Sequence, residues 1–215
     1  MALKWKNSIA ILIFALLAVC AEPDLYAESL KNIQQFYMDY QDFTVSFSQN
    51  TFQSLVNKEV LFTGTVSYKR GVGVRMDVFK PQRQIIILKG QQVVIRIPEE
   101  DTTSVQALPP EMANQNILGF FSGLESIGEG YEVQESSDAL FLYPREGSGH
   151  ITVWTDGSHA IKRILLKDAM GNQSDIRLSN YQFDTGIPES LFHLEEEGDA
   201  VTQPPVPMEP GIPSQ

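Results

Sequence analysis

Residues 60–69 alternate strictly between two faces. Val60, Phe62, Gly64, Val66 and Tyr68 fall on one side, and Leu61, Thr63, Thr65, Ser67 and Lys69 on the other. That is the signature of an antiparallel strand with one face in a core and the other in water. The same period of two sets Phe43, Val45 and Phe47 against Thr44, Ser46 and Ser48. Further strands are predicted at Val74 to Phe79, Ile85 to Lys89, Gln92 to Ile97, Ser104 to Leu108, Tyr131 to Glu135 and Ala139 to Tyr143. Four more are predicted at Ile151 to Thr155, Ile161 to Lys167, Asp175 to Phe183 and Leu191 to Glu195. Turn signals at Lys89-Gly90, Asp156-Gly157 and Gly171-Asn172 join them into a meander of hairpins. The chain is therefore mainly β, an α+β fold with about eleven strands.

Two segments follow a helical period instead. Residues 28–41 carry Leu30, Ile33, Phe36, Tyr37 and Tyr40 on one side, an amphipathic helix with an aromatic face. Residues 114–127 place Ile117, Phe120, Phe121 and Leu124 at i, i+3, i+4 and i+7, with Gly119 and Gly123 weakening the helix from within.

The 215 residues are 42% apolar, enough for one domain with its own core. Sixteen Lys and Arg against 27 Asp and Glu give a net charge of −11, the wrong sign for phosphate neutralisation, which sets nucleic-acid binding aside. At the amino terminus, Lys4 and Lys6 precede an apolar run from Ile9 to Val19 that is too short to span a bilayer. This is the layout of a secretory signal peptide, residues 1–27, with cleavage after Ala21 or Ala27. Cys20 is the sole cysteine. Leu17-Ala18-Val19-Cys20 has the outline of a lipobox, but Val19 stands where a small residue belongs. The simpler reading discards Cys20 with the signal and leaves an exported domain, residues 28–201, that is stable without disulfides. That suits a bacterial periplasm. The last residues, 202–215, hold five Pro and read as a disordered tail.

Catalytic chemistry is sparse. Three His, at 150, 159 and 193, have no metal-ligand spacing, so no metal and no cofactor is expected. Asp184-Thr185-Gly186 resembles the tripeptide of aspartic proteases, but those need two carboxylates sharing a proton and here the triplet occurs once, between two late strands, as a turn would. Arg70 stands out. The period that turns Phe62, Val66 and Tyr68 inward turns it inward too, and a buried guanidinium must be paired. The bland alternative is a hairpin end already in water.

Several spaced motifs point further: Phe43-x-x-x-Phe47-x-Gln49, Gly64-x-x-x-x-Lys69-Arg70, Arg75-Met76-x-x-x-x-Pro81, and Gly90 ahead of Val93-Val94-Ile95-Arg96-Ile97-Pro98. They continue in Leu142-x-Pro144, in Asp168-x-x-Gly171-Asn172, and in Phe192-x-Leu194 before Glu197-Gly198-Asp199-Ala200-Val201. In this order and behind a signal peptide, they resemble the LolA family of periplasmic lipoprotein carriers over residues 28–201. The chain departs from the family's pattern at Gly71 and Met76, and the Pro-rich tail is no part of it.

The resemblance implies an incomplete antiparallel β-barrel covered by helices, with an apolar cavity between. It implies a non-enzymatic, monomeric carrier that receives acylated lipoproteins from an inner-membrane ABC exporter and passes them to an outer-membrane acceptor. Arg70 would be the latch that bonds to lid-helix backbone. The cavity would be lined by the inward positions Phe47, Phe62, Val66, Tyr68, Met76, Ile95 and Ile97 and by Phe36, Phe120, Phe121 and Leu124 from the helices. Otherwise these residues fill an ordinary core. Rival readings are the outer-membrane acceptor, itself a lipoprotein, a carrier of other lipids, a sensor or scaffold module on the same fold, and an enzyme using Asp184.

Overall fold

A computed structural model describes residues 25–107, 117–124, 127–136 and 138–194. Residues 1–24 of the expected signal peptide, with Cys20, and the Pro-rich tail lie outside the described residues, whereas residues 25–27, expected to be part of the signal peptide, begin the first helix. Eleven strands form one sheet: β1 (Asp42–Gln53), β2 (Lys58–Lys69), β3 (Gly73–Lys80), β4 (Gln84–Lys89), β5 (Gln92–Ile97), β6 (Thr102–Ala107), β7 (Tyr131–Glu135), β8 (Leu140–Pro144), β9 (His150–Thr155), β10 (Ile161–Lys167) and β11 (Gln173–Phe183). Their spatial order is β6-β5-β4-β3-β2-β1-β11-β10-β9-β8-β7, with every neighbouring pair antiparallel. β6 and β7 remain as edges, so the sheet is an open half-barrel.

This order explains where the helices sit. From β1 the chain meanders to one edge at β6, and its next strand, β7, lies at the opposite edge. Between those edges come α2 (Ile117–Ser122), which packs against β3 and β4, and α3 (Ile127–Gly130), which packs against β7. From β7 the chain meanders back until β11 closes on β1, with Phe43 opposite Phe183 and Phe47 opposite Leu178. α1 (Leu25–Met38) precedes β1 and also packs against β7.

The alternating strands deliver one continuous apolar face. Val45 pairs with Val66, Val66 with Met76, Met76 with Ile86 and Ile86 with Ile95, a row crossing five strands. With Ile164, Ile176 and the helix residues Leu30, Ile33 and Phe121 it forms the main core. Gly64 has a packing reason to be glycine: a Cβ there would lie 2.0 Å from the Asp77 carbonyl oxygen and 2.7 Å from the Phe47 ring.

Three predicted elements need correction. α1 ends at Met38, not at residue 41. The second helix, expected over 114–127, breaks at Gly123 after Ser122, and helix resumes at Ile127; residues 114–116 and 125–126 lie outside the described residues. The last predicted strand, Leu191 to Glu195, is absent: Glu189–Phe192 is a 3-10 turn behind Pro188, and Glu195 lies outside the described residues. That segment has no strand to pair with. It crosses the outer face instead, where Ile187 and Phe192 pack on Ile87 in a second small core.

Candidate functional site

The last carbonyls of any α-helix lack intrahelical donors and carry the negative end of the helix dipole. α1 has no basic residue in its last turn to meet them. Arg70, just past the end of β2, does so from the sheet. Its Nη2 donates to the carbonyl of Tyr37 at 3.1 Å, to that of Tyr40 at 2.7 Å and to that of Met38. The Arg70 backbone N–H donates to Gln41 O at 2.9 Å, which fixes the turn against the chain leaving the helix. Gly71, at φ +71, makes the reversal after Arg70. One guanidinium thus ties the helix end to the sheet.

Tyr37 is gripped at its other end as well. Its hydroxyl donates to the Tyr181 hydroxyl at 2.9 Å and accepts the Ile161 N–H at 3.0 Å, while Tyr181 donates to Ile161 O at 2.8 Å. The three groups close a ring of hydrogen bonds joining α1 to β10 and β11. Burial pushes the Tyr37 phenol up to about 12 and raises Tyr181 well above the usual range, so both stay protonated donors. A third tie runs between helical segments, from Gln34 Nε2 to Leu124 O at 2.9 Å.

Aromatic rings fill the space these ties enclose. Tyr40 stacks on Phe183 at 4.2 Å and Phe43 on Tyr68 at 5.1 Å, and Phe121 meets Phe43 edge-on at 5.3 Å. Phe36 makes edge contacts with Tyr37 and Phe183. The crevice left between helix and sheet, bounded by Tyr37, Phe43, Tyr68, Phe121 and Leu124, has a volume of about 10 Å³, room for one water. Of the residues expected to line a cavity, Tyr68, Phe121 and Leu124 border this crevice.

Of the residues singled out in the sequence, Phe47, Val66, Phe120, Phe121 and Leu124 are buried in this core, and Phe36, Phe62, Tyr68, Met76 and Ile95 are half-buried against it. Ile97 is half-buried at the end of β5, opposite Thr102, away from that cluster. Tyr181 and Phe183 were missed as site residues. Their alternation at the end of β11 was visible, but the pairing of β11 with β1 that brings them beside Phe43 joins residues far apart in the chain.

The outer face carries a strap. Asp42, 2% exposed, accepts hydrogen bonds from Thr185 N at 2.9 Å, Thr185 Oγ1 at 3.2 Å and Ile187 N at 3.1 Å. Asp184 takes a left-handed turn conformation, φ 51, and accepts the Gln41 N–H at 2.7 Å. The Asp-Thr-Gly triplet is thus a turn that docks the chain after β11. Arg75 holds the Asp77 carboxylate through two nitrogens and donates to Leu191 O at 2.8 Å. His193 lies at the surface, bonded to Lys89 Nζ and Glu189 O.

Residues 39–195 match the family of the outer membrane lipoprotein carrier protein LolA. The chain belongs to the LolA family. It is 24% identical over 201 residues to an outer-membrane lipoprotein carrier protein of Hahella chejuensis, covering 90% of this chain and 93% of the relative. A carrier of the same description from Actinobacillus succinogenes is 25% identical over 194 residues, covering 88% and 90%. Among solved structures, a LolA superfamily protein from Nitrosomonas europaea superposes with a TM-score of 0.50 at 14% identity, covering 79% of this chain and 97% of that one. An uncharacterised Thermus thermophilus protein gives 0.55 at 10%, covering 82% and 98%. These two likenesses speak to the fold, the LolA-type half-barrel with helices on one face. Among the described residues no helix is long and apolar enough to cross a membrane.

Proposed function

We propose that this LolA-family chain is a periplasmic carrier that binds the acyl chains of lipoproteins released from the inner membrane and delivers them to an outer-membrane acceptor. The observation that carries the reading is the clamp: an aromatic helix lies over the apolar face of an open sheet, and its end is held by a guanidinium on backbone carbonyls. An acyl chain with roughly 14 buried methylenes gains on the order of 11 kcal/mol on leaving water, so a carrier must enclose it. Moving from bilayer to protein exchanges one apolar medium for another, so the transfer itself lies near zero and loading draws on an outside source, an ABC exporter. The carrier's part is to open, enclose and close. At the clamped end, the crevice between Tyr37, Phe43, Tyr68 and Phe121 has room for one water. Loading therefore separates the helix from the sheet and breaks the Arg70 bonds, and delivery lets them re-form.

The test is release of an acylated lipoprotein from exporter-containing proteoliposomes with ATP. The expected result is a soluble complex of chain and lipoprotein that an outer-membrane acceptor then empties. A lipoprotein that stays in the vesicles, or a complex forming equally well with non-acylated cargo, refutes the reading. Mass spectrometry of the mature amino terminus separates carrier from acceptor, since an acylated Cys20 as first residue identifies a membrane-anchored acceptor.

A further inference from the structure

The crevice at the clamped end of α1 is small, and a space of about 530 Å³ opens at the opposite end of the sheet, between the turn after β8 and the turn after β10. Its floor includes Tyr131, Ile151 and Leu166, three buried members of the main core, so only these side chains stand between it and the helix-covered face. One wall is the turn 145–149, where Gly149 presses on the Lys167 carbonyl so closely that a Cβ would lie 2.3 Å away. The other wall is the turn 168–172, which is stiffened from inside. The Asp168 carboxylate accepts Met170 N at 2.9 Å, Asn172 N at 2.8 Å and Asn172 Nδ2 at 2.7 Å. That carboxylate is occupied by its own turn; Glu146, His150, Lys167 and Gln173 also border the space, so an acyl chain would lie on the apolar floor and leave this polar rim to water.

The rim adds a second observation. Ser54 N donates to Asn172 Oδ1 at 2.9 Å, and Ser54 Oγ bonds to Met170 O, which joins the β1–β2 turn to the turn after β10. The joined tips leave Leu55, Val56 and Met170 at 79%, 64% and 59% exposure. Three large apolar side chains on a braced tip beside a polar-rimmed space with an apolar floor form an entrance for something that arrives from an apolar medium. Along β1, from Phe43 at the clamp to Phe52 opposite Gln173, the two ends of the face lie roughly 30 Å apart at ~3.4 Å per residue.

The geometry points to this space as the mouth through which one acyl chain of the cargo enters, methyl end first, while the Arg70 clamp at the far end is still made. This rests on the carrier reading and adds where capture begins.

The experiment uses palmitate with a terminal diazirine, photo-crosslinked to the purified chain and mapped by mass spectrometry, alongside titration with a fluorescent fatty acid. Ser148→Trp fills the mouth from an exposed turn residue, and Met170→Asp charges its rim. Gly157→Trp, in the β9–β10 turn with nothing within 4 Å of a Cβ, is the control. Adducts on residues 147–151 and 166–174 are expected, with affinity falling about tenfold in Ser148→Trp and Met170→Asp and unchanged in the control. Parental affinity in both mouth variants, with adducts confined to the clamp end around Phe36 and Tyr68, overturns the mouth and leaves the carrier reading standing. Absence of palmitate binding in the parent overturns both.

Discussion

Replacing Arg70 by Leu removes the cation bound to the end of α1 and leaves a shorter, apolar side chain that cannot reach its carbonyls. Three carbonyls converge on a single Nη2, which has two hydrogens, so two bonds at most are made at full strength. Hydrogen bonds to a charged group contribute about 1.5–3 kcal/mol each, or about 3–6 kcal/mol for two. Water reaches this half-buried site and rehydrates the carbonyls once they are freed, so about 2–3 kcal/mol of net clamp strength is lost. That is a roughly 30- to 150-fold shift of the lid equilibrium towards open. Hydrogen–deuterium exchange of the helix amides from Ile33 to Met38 should accelerate by this factor, while the amides of β9 and β10 keep their protection. Because the closed, empty state is the one destabilised, Arg70→Leu should load a lipoprotein but hand it on poorly. Arg70→Lys should recover only part, since an ammonium lacks the planar fork that spans neighbouring carbonyls. Parental exchange in α1 together with parental transfer to the acceptor would show that Arg70 is a solvated turn residue and that the clamp has no role.

Tyr37→Phe should destabilise the fold more than Tyr181→Phe in urea titrations. The first strips the buried Ile161 N–H of its acceptor, a loss of about 1–3 kcal/mol, whereas after the second the Tyr37 hydroxyl can turn to Ile161 O. The reverse order would sink the hydrogen-bonded ring. Gly64→Ala drives a methyl into the Asp77 carbonyl and the Phe47 ring and should cost about 2–3 kcal/mol, lowering the melting temperature by roughly 5–10 °C. A melting temperature within a degree of the parent contradicts that packing. Tyr37 has a folded-state pKa of about 12 against 10.0 unfolded, raised by burial, so the neutral form belongs to the fold. Its contribution is complete below pH 10 and is lost as pH rises from 10 to 12. Tyrosinate absorbance should therefore show ionisation coupled to release of α1 in that window, and a parental profile in Tyr37→Phe would rule the coupling out.

The sequence by itself determined the class of fold. Period-two alternation is a local property, and once Phe62, Val66 and Tyr68 share a side, the sheet face they build is settled wherever its neighbours lie. The aromatic stripe of α1 and the need of Arg70 for partners were legible in the same way, since both follow from which side of an element a residue occupies. Tertiary structure alone decided the rest. That β11 returns to β1 places Tyr181 and Phe183 against Tyr37 and Phe43, and nothing within either strand encodes that pairing. Leu191 to Leu194 alternates like a strand but found no ladder, because Asp42 docks the chain just before it, at Thr185 and Ile187, and Arg75 binds Leu191 O across the outer face. Inward orientation could not distinguish a cavity from a filled core. The nearly closed crevice comes from how rings on α1, α2, β1, β2 and β11 interlock, and packing of that kind depends on the simultaneous position of all five elements.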